Sequence, residues 1–238
     1  MPFISISERR APLVVACCAV ALTCSLALIY WTMTHRGSKV GARARQLHQM
    51  VGDVTAQETI KLVGKKGRVV VVSMDTSQSK ARPAEMELEH FLKTLKNLST
   101  LTVVTTQLVT PESSVTRSES GLSAETFIGM VQQHPDVDVL VSFAGAPVLS
   151  AEQIQALPAK IPKVIAVLAL TFQSRLKPLF EQNIIQVAIT PRFDGPPAGT
   201  KPPETVREWF DYSFKVLTTE TEAMLANGEK DGAELLRQ

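Results

Sequence analysis

Small hydroxyls, a carboxylate, a guanidinium and a glycine recur just downstream of the hydrophobic runs in this chain of 238 residues. Asp75, Thr76 and Ser77 follow RVVVVSM, Ser142 and Gly145 close the run VDVLVSFAG, Thr171 follows KVIAVLAL, and Thr190 and Arg192 end IIQVAITPR. Groups of this kind hydrogen-bond or ion-pair with a small polar ligand. The ligand-binding set expected from them is Asp75, Thr76, Ser77, Ser142, Gly145, Thr171 and Arg192. Turn formation also favours small polar residues at such places, so their presence has an ordinary structural reason beside the functional one. Ser77 and Ser79, with the start of the following helix, resemble a phosphate-accepting arrangement. That loop lacks the glycines by which a P-loop or a GxGxxG turn brings backbone close to phosphate.

Catalytic chemistry has less support. The histidines are His35, His48, His90 and His134, and none stands at metal-ligand spacing from a carboxylate. They are expected to be solvated surface residues. No GxSxG elbow marks a nucleophile. Cys17, Cys18 and Cys24 all fall in one apolar stretch, so the rest of the chain has no thiol for a disulfide, a nucleophile or a thiolate metal site. No catalytic residue, metal or cofactor is expected.

The elements that would position these groups alternate. Arg68–Met74 is a continuous β-branched run, the pattern of a strand covered on both faces. Further strands are expected at Leu101–Val109, Val137–Phe143, Lys163–Leu170 and Ile184–Ile189. Helices are expected after Pro83, with Leu88, Phe91, Leu92 and Leu95 as the apolar stripe, and at Ala124–Gln133, Ser150–Leu157 and Gln173–Glu181. Ser150 and Gln153 suit a capping box. After a Pro/Gly loop, Val206, Trp209, Phe210, Phe214, Leu217, Met224 and Leu225 read as one long amphipathic helix, with Trp209 anchoring it and Asn227-Gly228 ending it. Strands alternating with helices imply an α/β three-layer sandwich. The expected sheet has five parallel strands in the flavodoxin-like order 2-1-3-4-5, whose ligands bind beyond the carboxyl ends of the strands.

Ahead of this domain (residues 68–238) lies a different kind of segment. Residues 1–10 form a short tail, and residues 11–33, APLVVACCAVALTCSLALIYWTM, carry no charge. A run of about 20 apolar residues spans a bilayer, and Tyr30 and Trp31 suit an aromatic belt at its end. A single-pass, uncleaved signal anchor is therefore expected, in a membrane of the bacterial inner-membrane type. Residues 34–67 form a basic connector with a short amphipathic helix through Leu47, Met50, Val51 and Val54. Arg36, Lys39, Arg43 and Arg45 would meet anionic lipid headgroups. Net charge is only +2, with no basic stripe interleaved with aromatics, so nucleic acid is not an expected partner. Sidedness is open: the flanking charge favours a cytoplasmic domain, while a short tail before one apolar helix favours export.

The stretch HPDVDVLVSFAGAPVLS, then PKVIAVLAL, then LKPLFEQNIIQVAITPR resembles one lobe of the type 1 periplasmic substrate-binding proteins. With Arg68–Asp75 the likeness covers about half the chain. It implies a ligand crevice, yet those proteins clamp ligand between two lobes and this chain has length for one. A second resemblance, to response-regulator receiver domains, fails at the phosphoacceptor, since Ser142 or Phe143 stands where an aspartate belongs. The leading expectation is a membrane-anchored, non-enzymatic interaction or assembly module with a protein partner. The alternatives are a single-lobe small-ligand sensor and, third, a hydrolase or transferase using Asp75.

Overall fold

Every strand of the main sheet but one points the same way, as buried β-branched runs separated by helices require. The computed structural model describes residues 41–76, 83–110, 121–167, 173–192, 199 and 201–220. The chain divides into two units, Met1–Arg45 and Gln46–Gln238, and the fold below is that of the second. Helix α1 covers residues 41–63, of which 46–63 belong to this second unit. It is followed by β1 (Arg68–Met74), α2 (Pro83–Leu98), β2 (Thr102–Val109), β3 (Leu122–Ser123), α3 (Ala124–Gln133), β4 (Val139–Ser142) and β5 (Pro147–Val148). Then come α4 (Ala151–Gln155), β6 (Lys163–Val167), α5 (Gln173–Glu181), β7 (Val187–Pro191), α6 (Val206–Ser213) and β8 (Phe214–Thr218).

The main sheet has the order β2-β1-β4-β6-β7-β8, and β3 pairs with β5 in a small second sheet. It differs from the expected five-stranded sheet by one antiparallel strand, β8, added beside β7. In β1, Val70 and Val72 enter one core while Val69 and Val71 enter the other, which explains the unbroken apolar run. The first core takes Phe127, Met130 and Val131 from α3 and Leu176, Leu179 and Phe180 from α5. The second takes Val51 and Val54 from α1, Phe91 and Leu95 from α2 and Phe210 from α6. The sheet is thus covered on both sides, as a three-layer sandwich requires.

Several expectations are corrected. The long amphipathic helix from Val206 is a helix of 8 residues followed by a strand of 5. Leu217 joins the first core and Phe214 the second, the alternation of a strand. Trp209 does not anchor the helix. It is half-buried with its ring against Tyr212, and Phe210 is the residue in the core. The short connector helix is instead the long helix α1. His48 and His90 are not solvated surface residues, because His48 Nδ1 meets Glu87 Oε1 and His90 Nδ1 faces Asp53 Oδ1. Residues 11–33, Arg36 and Lys39 lie outside the described residues. Among the described residues no helix is long and apolar enough to cross a membrane.

Candidate functional site

The strands begin at one end of the sheet, where polar groups are paired. Asp138 accepts from the Arg68 N–H at 2.7 Å, and Arg68 also forms an ion pair with Asp136. Gly67 has φ 146°, and a Cβ there would come within 2.7 Å of Asp138 Oδ2, so the close approach requires glycine. The Lys163 ammonium donates to the Leu62 carbonyl at 2.8 Å. Gln186 Oε1 accepts from the Val164 N–H at 2.6 Å, and its amide donates to the Asn183 carbonyl.

At the opposite end, where ligands of open parallel sheets bind, two hydroxyls are buried without a partner. Ser142, the last residue of β4, and Thr190, on β7, are 0% and 4% exposed. Neither Oγ has a hydrogen-bond partner among the described residues. Ser142 pairs in register with Ala166, and Ala166 with Ala188, two residues before Thr190. Both hydroxyls therefore share one face of the sheet, that of the core joined by α3 and α5. Two strand spacings across and two residues along put them roughly 12 Å apart. Leaving such a hydroxyl buried and unpaired costs about 1–3 kcal/mol.

The turn after β4 is built tightly. Phe143 N–H donates to the Val72 carbonyl at 2.8 Å, Phe143 to Ala146 are buried, and Gly145 has φ 95°. That left-handed conformation suits glycine. Leu122 N–H donates to the Ala146 carbonyl at 3.0 Å, and a Cβ on Gly121 would come within 2.6 Å of that oxygen. Segment 121–123 is thereby held against the turn. Ser123 then caps α3, its side chain accepting from the Thr126 N–H.

The expected site residues divide. Ser142 and Gly145 lie at this end on β4 and its turn. Asp75 follows β1 directly, its N–H donating to the Val109 carbonyl at 2.8 Å, and Thr76 Oγ1 donates to Glu85 Oε1 at 3.2 Å. Arg192 is at the same end, but its Nε donates to the carbonyls of Asp211 and Phe214 at 2.8 and 3.1 Å and its N–H to that of Ser213. It ties β7 to the junction of α6 and β8. Three strand spacings, about 14 Å, separate β7 from β1, so Arg192 and Asp75 form no pair. Ser77 and Thr171 lie outside the described residues. Thr190 belongs with Ser142 by its burial, a property that spacing in the sequence does not reveal. Among the described residues no group of three or more His, Cys, Asp or Glu side chains could hold a metal ion.

No family model and no curated protein matches this chain. Solved structures with a similar arrangement include an arabinose-binding protein from Geobacillus stearothermophilus, 16% identical with a TM-score of 0.48, covering 73% of this chain and 61% of its own. A structure of the XylFII–LytSN complex is 12% identical with a TM-score of 0.48, covering 73% and 60%. The XylFII molecule by itself is 18% identical with a TM-score of 0.44, covering 60% and 48%. This chain thus spans about half to three-fifths of the length of those proteins.

Proposed function

We propose that this chain is a tethered, non-enzymatic α/β lobe that binds a small polar ligand at the carboxyl ends of its central strands. The observation that carries this reading is the pair of buried, unpartnered hydroxyls, Ser142 Oγ and Thr190 Oγ1, on one sheet face. A ligand reaching them would make the hydrogen bonds that the protein does not. The tether is the uncharged stretch 11–33, flanked by Arg36, Lys39, Arg43 and Arg45, whose chemistry suits a bilayer and its anionic headgroups.

The experiment is thermal denaturation of the detergent-solubilised chain against panels of neutral polyols and of charged metabolites. The expected result is a saturable rise in melting temperature with one class of neutral hydroxylated compound, weakened at least tenfold in apparent affinity by Ser142→Ala. No shift with any compound, or a shift that Ser142→Ala and Thr190→Val leave unchanged, overturns the assignment. Sidedness is read separately, by protease access to the domain in spheroplasts and in inverted vesicles.

A second reading, an assembly module, is favoured by edge strand β2. Its segment TVVTTQLV has no charge, and Leu108 is 58% exposed. Natural edges are ordinarily guarded by charge. If β2 docks a protein partner, Leu108→Lys lowers the mass of the detergent-solubilised complex; an unchanged mass removes that reading.

A further inference from the structure

Away from the ligand site, the α1–α2 crossing holds a buried Glu87, on α2. The two backbones touch there: a Cβ on Gly52 would strike the Glu87 carbonyl oxygen and come within 2.9 Å of the Phe91 nitrogen. Glu87 has 0% side-chain exposure, and its Oε1 lies 2.5 Å from His48 Nδ1 on α1. Its Oε2 has no partner among the described residues. Farther along the crossing, Asp53 of α1 accepts from Thr94 Oγ1 at 2.5 Å and stands 3.5 Å from His90 Nδ1 of α2. The core that both helices join supplies apolar side chains, among them Val51, Val71 and Phe91. The ionisable groups at the crossing are thus His48 and Asp53 from α1 and Glu87 and His90 from α2, with apolar strand residues below.

An ionised Glu87 would leave one oxygen bearing partial charge in apolar surroundings with no donor, which is costly. A proton on Glu87 removes that charge. We propose that this pair is a proton-dependent latch holding α1, from Gln46 onward, against α2, so that docking of α1 weakens as pH rises.

Burial acts in the stated direction: desolvation raises the Glu87 pKa above 4.5, more than the hydrogen bond and charge of His48 lower it. A folded-state pKa above the unfolded one gives stability that is full below pH 4.5 and is lost as pH rises through the raised value. The latch depends on neither the ligand nor the tether.

The test is hydrogen exchange of the full-length protein in detergent from about pH 5 to 8. Protection of amides in 46–63 is expressed at each pH as the ratio of the unstructured-chain exchange rate to the measured rate, which cancels the intrinsic pH dependence of exchange. The expected result is a ratio that falls by up to about tenfold per pH unit while Glu87 ionises, and that is flat in Glu87→Gln. A flat ratio in the native protein, or an equal slope in Glu87→Gln, overturns the proposal. If Glu87→Gln does not fold, the native ratio decides alone: falling supports the latch and flat refutes it.

Discussion

Where the strands begin, Asp138 accepts from Arg68, Lys163 from β6 reaches Leu62, and Gln186 bridges Val164 and Asn183. Where they finish, Ser142 and Thr190 hold buried hydroxyls that meet no partner among the described residues. The polar side chains named at the first end serve cohesion, whereas at the second end two buried hydroxyls stand unpaired beside groups that are satisfied, such as Arg192 and Thr76. The cost of each such hydroxyl is a sizeable fraction of a stability margin of about 5–15 kcal/mol. Their persistence is what a binding surface would need and what a purely structural end would not.

The sharpest way to break this contrast is at the paired end. Gly67→Ala forces a side chain into a positive-φ position and against Asp138, and a loss of about 3 kcal/mol is expected from strain and collision together. Urea unfolding measures it, and a loss under about 1 kcal/mol would mean that this end is not tightly knit. Thr190→Val at the open end should act in the opposite direction. It removes the unpartnered hydroxyl with little change of shape, so the ligand-free protein should gain about 1 kcal/mol. A loss of similar size would mean that Thr190 Oγ1 is satisfied in solution and is no ligand group. The smallest effect is expected at α6, outside the contrast, as a control. The exposed Glu208 carboxylate accepts from the Glu204 and Thr205 N–H groups, which lower its pKa. A lowered folded-state pKa gives stability that is present above pH 4.5 and lost as pH falls through the lowered value. Glu208→Gln should therefore flatten a slight acid-side slope in melting temperature, and an unchanged slope would exclude that cap as its source.

Strand β1 was legible because both its faces are buried, so its sequence is continuously apolar. The two capping hydroxyls Ser150 and Thr205 act through neighbours three residues on, and the first was read correctly for that reason. Strand β8 was not legible. Phe210, Phe214 and Leu217 are spaced four and three apart, which satisfies helical periodicity although the helix ends at Ser213. Glu87 sits near the start of α2, where an acid ordinarily complements the helix dipole, but its partner lies 39 residues away, beyond any local pattern. Of the site, Ser142 was legible from its place at a strand end. Thr190 had the same local signal, and only the fold shows that both hydroxyls are buried on one face.

The direction of β8 has a practical consequence for labelling. Because Thr218 stands opposite Val187, where β7 starts, the backbone beyond β8 sets out from the pole farthest from Ser142 and Thr190. A reporter spliced in after residue 218 would be launched away from the open hydroxyls, whereas one spliced at the turn between β4 and β5 would land on them.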